Sequence, residues 1–226
     1  MSRNLDGLCA YCGALSPTTR DHIPPKGIFP TPRPGDLITV PSCMACNQGA
    51  SASDESFRAY LSLHVGMDTS STSRLWTQAA LPGIRRNRPL HRRLLAETQR
   101  VWLTTPSGVI HSHAYRLLWD SAAHDATNER MIRGLYFHHY GDVLGTRVRV
   151  KSHWFRTLDT DLLEATEECE QRSAGDDQFV YRFGRASGAP LHSIWLFEFY
   201  KRHWAGGQTA PVERDGEHFA ESDGAG

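Results

Sequence analysis

Four cysteines and one Asp-His dipeptide are the residues of this sequence best suited to chemistry. Cys9 and Cys12 are separated by two residues, as are Cys43 and Cys46, and 30 residues lie between the pairs. Two residues between thiolates let both grip one ion from a tight turn, and two such pairs complete a tetrahedral four-thiolate zinc site. A site of that kind is closed, so its ion is structural and supplies folding free energy to a segment too small to hold itself together. Four unrelated buried cysteines are the plainer alternative, which the paired spacing disfavours. Zinc ribbons and other binding modules share the frame, so the cysteines by themselves name no enzyme. The fifth cysteine, Cys169, has no neighbour in sequence to pair with.

Between the pairs runs TTRDHIPPKGIF, residues 18–29, and Asn47 follows directly on the last cysteine. The order C-x2-C, Asp-His-x-Pro, C-x2-C-Asn resembles the zinc-bearing members of the HNH endonuclease family, the ββα-metal nucleases. The resemblance covers about residues 8–60. It implies that His22 is the general base that activates water, that Asp21 binds a catalytic divalent metal, and that Asn47 is a second ligand or positions the water. It also implies cuts that leave 5′-phosphate and 3′-hydroxyl ends. Members usually carry an Asn shortly before the second cysteine pair, whose side chain orients the catalytic histidine; the matching place here holds Asp36. An aspartate accepts a hydrogen bond from an imidazole as an amide does, and it raises the basicity of that imidazole. A turn residue that starts a strand is the other reading of Asp36.

The residue types agree with those roles on chemical grounds. Phosphodiester hydrolysis needs a deprotonated water in line with the leaving oxygen, and a cation to neutralise the charge that develops there. A histidine held neutral and close to the water suits the first task. Magnesium, or another hard divalent cation, keeps several waters, so one carboxylate and one amide oxygen suffice to hold it. Neighbouring residues in mid-strand point to opposite faces; Pro24 and Pro25 end the strand at Ile23, where the backbone can turn and let Asp21 and His22 converge. Arg20 and Lys26 flank the dipeptide as phosphate contacts or as solvated charges. Asp54 and Glu55 are placed either as a further ligand or as carboxylates favoured at a helix start.

These residues need elements to hold them. Gly13 lets the chain fold back after Cys12. Strands are expected over residues 16–20 and 36–41, with a proline-stiffened loop at 27–35 between them. A helix follows Cys46, with Phe57, Tyr60, Leu61 and His64 at helical spacing. Residues 68–74 (DTSSTSR) are polar and suit a linker. Beyond it, a helix is expected over 92–99, strands over 100–104 and 108–113, and an amphipathic helix over 129–140, closed by Gly141 and burying Ile132, Leu135, Tyr136 and Tyr140. Strands at 146–151, 179–183 and 193–200 and a helix at 159–171 complete the pattern. Trp195, Phe197 and Phe199 alternate onto one strand face and read as sheet core. His111, His113, His138 and His139 read as ordinary histidines, since separate pairs without a Cys or carboxylate motif are a poor metal set.

The fold class is therefore α+β: a zinc-stapled ββα-metal, treble-clef-like module over residues 1–66, a linker or exposed loop over 67–90, an α+β accessory domain over 91–204 and a disordered tail over 205–226. No apolar run is long enough to cross a membrane and no leader is evident at the N-terminus, so a cytoplasmic setting is expected. The net charge is zero, but residues 1–100 hold 12 Arg or Lys against 7 Asp or Glu. The densest run is Arg85, Arg86, Arg88, Arg92 and Arg93, where attraction to phosphates and a solvated helix face are both reasonable. The expected function is divalent-metal-dependent hydrolysis of DNA phosphodiester bonds. A non-catalytic four-cysteine module binding nucleic acid or protein is the alternative, and it has no need of Asp21, His22 or Asn47.

Overall fold

A computed structural model describes residues 7–15, 18–158, 160–176 and 178–212. The architecture is mixed α+β. A two-stranded antiparallel hairpin, β1 (Thr19–Ile23) and β2 (Ile38–Ser42), precedes the short helix α1 (Met44–Gly49) and the longer α2 (Ser51–Val65). Ser16, the expected start of β1, lies outside the described residues. The loop between the strands is anchored by a 3-10 turn at Lys26–Ile28, and Ile28 and Phe29 are buried there.

Residues 67–90, expected as a linker, are helical instead. Helix α3 (Ser70–Arg74), a π-helical stretch (Leu75–Ala80), α4 (Leu81–Arg86) and α5 (Arg88–Glu97) follow one another directly. The Ser/Thr-rich composition that suggested a loop is capping chemistry: Thr69 accepts from the Thr72 N–H while the Thr72 hydroxyl accepts from the Thr69 N–H. Next come the hairpin β3 (Thr98–Thr104) and β4 (Ile110–Leu117), then the 20-residue helix α6 (Ser121–Tyr140), capped by Asp120 and closed by Gly141 in the left-handed region.

The remainder is a five-stranded antiparallel sheet in the order β5 (Val148–Phe155), β9 (His203–Pro211), β8 (Ala189–Phe199), β7 (Phe179–Ala186) and β6 (Glu170–Ala174). The helix expected over 159–171 is confined to α7 (Thr160–Ala165), because the chain then pairs as the edge strand β6; Asp159 itself lies outside the described residues. The tail expected from residue 205 is corrected too. Residues 205–211 belong to β9, an inner strand between β5 and β8. Its glycines serve close packing: a Cβ on Gly206 would meet the Trp195 carbonyl, and one on Gly207 the Lys151 carbonyl. Residues 213–226 lie outside the described set.

Helix α6 is the hub. It is buried almost all round, with Met131, Ile132, Leu135, Tyr136 and Phe137 in a core that also takes Ile23 and Phe57 from the N-terminal elements and Trp195, Phe197 and Phe199 from the sheet. Packing is thus continuous across residue 66. Asn128 donates to Ser152 Oγ at 2.6 Å and to the Gly206 carbonyl at 2.5 Å, fixing α6 to β5 and β9. On the opposite side Gly134 lies against Ile23 at the end of β1, so close that a Cβ there would run into the Ile23 side chain.

A second tie is made of histidines. His124 of α6 and His203 of β9 are fully buried, their Nε2 atoms 3.0 Å apart, and His64 of α2 lies with its ring centroid 5.0 Å from that of His203. Trp119 and Trp154 stack over His203. Burial holds the pKa of His124 down to about 4 despite Asp125 beside it, and burial with two histidine neighbours depresses His203 as well. Such groups take up a proton more readily when the chain is unfolded, so the stability they contribute is whole above about 6.5 and is lost as pH falls toward 4. Asp54, raised to about 6 by burial, acts in the opposite sense with a single proton. The urea midpoint should therefore fall between pH 7 and pH 5, with each histidine worth about 1.4 kcal/mol per pH unit. His124→Phe should flatten that fall; a midpoint equal at the two pH values would contradict this assignment.

Candidate active site

The first cysteine pair sits in a reverse turn. The Cys9 N–H donates to the Ala14 carbonyl, the Gly13 N–H to the Cys9 carbonyl, and Gly13 has φ +73°, which favours glycine. The second pair begins α1: Cys43 is its N-cap, and the Cys46 N–H points at the Cys43 sulfur at 3.5 Å. The four sulfurs lie within 4.8 Å of one another, with Cys12 and Cys43 3.9 Å apart. Tetrahedral zinc with bonds of about 2.3 Å separates its sulfurs by roughly 3.8 Å, so the group can hold an ion such as zinc. Burial works against ionisation of Cys9, but N–H groups of Cys43, Cys12 and Tyr11 outweigh it and bring the thiol down to about 7. No other such group of three or more His, Cys, Asp or Glu ligands occurs among the described residues. His111 and His113 are exposed on β4, and His139 is stacked on Phe183, 3.9 Å between centroids.

Asp21, His22 and Asn47 line one cleft of about 360 Å³ together with Arg20, Lys26, Asp54 and Arg58. Antiparallel pairing sets His22 opposite Thr39, one residue from the end of the ladder, and Ile23 opposite Ile38. The imidazole of His22 is half-buried, and its pKa is lowered by that burial and by Lys26 and Arg33, against the pull of Asp21. It is thus neutral near pH 7, with a lone pair to accept a proton. Asn47 donates from Nδ2 to Thr19 Oγ1 at 3.1 Å, which fixes the amide and leaves its carbonyl oxygen as a donor atom for a cation.

Asp36 is the expectation the structure corrects. It lies two residues before β2, beyond the paired ladder, and both its oxygens accept from the Gly175 N–H at 3.3 Å. It pins the loop between β1 and β2 to the turn between β6 and β7, and among the described residues no hydrogen bond joins it to His22.

The group missed in the sequence is Arg130, on α6. Its guanidinium lies 2.6 Å from Asp21 and 3.1 Å from Asp54, and it sits over the Tyr11 ring, 5.0 Å from the centroid, while the Tyr11 hydroxyl donates to Asp21. Arg130 stands one helical turn from Gly134, so the close approach of Gly134 to Ile23 delivers the guanidinium to the carboxylate two residues before Ile23. Arg58, on α2, is walled by Gly27 and Gly83, where a Cβ would meet its guanidinium, and it pairs with Glu55 at 3.4 Å.

Two carboxylates and an amide oxygen facing one cleft are a donor set suited to a hard divalent cation. Asp21 and Asp54 already converge on a positive group, Arg130. An ion bound at Asp21 would have to share that carboxylate with the guanidinium or displace it.

No protein-family model, curated protein or solved structure matches the chain.

The cysteine group yields a direct expectation. Protein purified without added metal should carry roughly one zinc per chain, and Cys43→Ser should lose the ion and unfold the β1–β2 region first, seen as faster amide exchange there. Protein free of zinc with unchanged exchange in that region would contradict it.

Proposed function

We propose that the protein is an endonuclease of the HNH, ββα-metal type that hydrolyses DNA phosphodiester bonds in the cleft at His22. One observation carries the reading: His22, Asp21 and Asn47 line a single cleft walled by Arg20, Lys26 and Arg58, where burial and Lys26 hold the His22 pKa below its ordinary value. The order of the hairpin β1–β2 and helices α1 and α2 around a four-cysteine group that could hold zinc supports the treble-clef-like, ββα part of this reading. Cationic side chains around a neutral imidazole suit an anionic substrate that needs a base.

In the proposed reaction His22 takes a proton from a water molecule. The water oxygen bonds to phosphorus as the bond from phosphorus to the 3′-oxygen breaks; a solvent water protonates that oxygen and His22 gives its proton back to solvent, leaving 5′-phosphate and 3′-hydroxyl ends. Arg20, Lys26 and Arg58 bind the phosphate oxygens and orient the strand. Asp21 and Asn47 would hold a divalent ion, with Asp54 as a further carboxylate; bound there, it neutralises charge at the phosphate and the leaving oxygen. Arg130 pairs with Asp21 and holds its carboxylate in place at the cleft wall.

The alternative, a non-catalytic module that binds nucleic acid, draws support from Arg130 itself, since the carboxylate proposed as a metal ligand already has a cationic partner. Plasmid nicking with magnesium or manganese separates the two. His22→Ala should slow metal-dependent nicking by at least about a hundredfold, the scale of a lost general base, while DNA binding persists. Binding without metal-dependent cleavage in both proteins would establish the non-catalytic module instead.

A further inference from the structure

The hairpin β3–β4 is built unlike the rest of the fold. Both strands are exposed along nearly their whole length, and among the described residues neither pairs with a third strand. Its root is fixed: the Leu118 N–H donates to the Glu97 carbonyl, the Tyr60 hydroxyl donates to the Glu97 carboxylate at 2.5 Å, and Leu117 and Trp119 pack on Tyr60, Ile84, Leu90 and Leu94. Beyond that root nearly every ribbon residue is exposed among the described residues, including Trp102, 57% exposed, and Tyr115, 68% exposed. Free exposure of two large rings costs solubility and calls for an occupant.

The register says what one face looks like. Arg100 pairs with Tyr115 and Trp102 with His113, so these four side chains share a face. Arg100 lies over the Trp102 ring at 4.4 Å, His113 is 5.9 Å from Trp102, and Tyr115 is 5.7 Å from His113, centroid to centroid. The result is a continuous exposed stripe of one guanidinium and three rings.

The charge of the region is one-sided. From residue 85 to residue 116 there are seven arginines and a single acidic residue, Glu97, in a chain that is neutral as a whole. Glu97 holds Tyr60, and Arg93 is paired with Asp120 at 2.7 Å; Arg85, Arg86, Arg88 and Arg92 are exposed. This basic surface joins the cleft. Asn87, at the corner between α4 and α5, donates to Glu55 at 2.6 Å, Gly83 abuts Arg58, and Arg86 is near enough to Arg58 to lower its pKa.

We infer that the β3–β4 ribbon is a binding arm for single-stranded nucleic acid, whose bases stack on Trp102 and Tyr115 while the arginines of α4 and α5 lead its phosphates to the cleft. The occupant is fixed by complementarity: an aromatic stripe set in a field of positive charge fits unstacked bases on a polyanion. A paired duplex offers such rings no base faces, and a second copy of the chain would bring like charge against like. The arm rests on the nucleic-acid reading of the cleft for the identity of its polymer.

The test uses full-length His22→Ala, which retains the arm, and fluorescence anisotropy with labelled oligothymidine and with a hairpin duplex of equal charge. Replacing Trp102 and Tyr115 together by Ala should weaken oligothymidine binding at least about tenfold, in keeping with the worth of one stacked base, and leave duplex binding within about twofold. Trp102→Phe with Tyr115→Phe should restore most of the affinity. Unchanged oligothymidine binding, an equal loss with duplex, or a dimer in sedimentation that the Ala variant dissolves would each overturn the arm. The outcome is separable from the nuclease reading: His22-dependent nicking that survives loss of the rings leaves the cleft standing, whereas ring-dependent binding in a protein that never cleaves leaves the arm standing.

Discussion

Arg130 joins carboxylates from two elements, Asp21 of β1 and Asp54 of α2, across side chains that are each largely buried. None of these charges could lie there alone, because an unpaired buried ion costs several kcal/mol, and removing one partner of a buried pair costs about 3–5 kcal/mol. The bridge therefore fixes how the hairpin flanked by the two cysteine pairs, the helix behind it and α6 lie together. The cleft at His22 is lined by β1, the loop after it, α1 and α2, and α6 reaches its wall through Arg130 on Asp21 and Asp54.

That meeting is prepared by packing. Gly134 admits the end of β1 against α6, and Asn128, two residues before Arg130, ties the same helix to β5 and β9. One helix thus carries the close contact to the hairpin, the charge that faces Asp21, and the polar anchors to the sheet. The basic surface adjoins the cleft along α2, through Asn87 on Glu55 and Gly83 against Arg58.

Local chemistry made much of this legible in the sequence. Prolines 24 and 25 marked the end of β1, the β-branched run before Cys43 marked β2, the cysteine spacing marked a metal-holding group, and Gly141 marked the end of α6. Asp21, His22 and Asn47 do line one cleft. What stayed hidden depended on distant partners or on residues with two uses. Arg130 is an ordinary helical arginine until Gly134 is seen against Ile23. Asp36 was read by its place in a motif, while its partner, Gly175, comes from the far sheet. The Ser/Thr run at 69–73 spells either loop or cap, and the glycines of β9 spell either tail or close strand packing; only tertiary neighbours choose between them.

In the proposed function Asp21 belongs to a cation-holding site beside His22, with the Arg130 guanidinium as its present partner. Manganese binding to zinc-loaded protein, followed by electron paramagnetic resonance of the free ion, tests it without relying on turnover. One manganese per chain beyond the zinc is predicted, abolished in Asp21→Asn and tightened by about tenfold in Arg130→Gln, where a competing charge worth on the order of 1.4 kcal/mol is gone. Binding that is indifferent to Asp21→Asn, or absent from both the parent and Arg130→Gln, would contradict it.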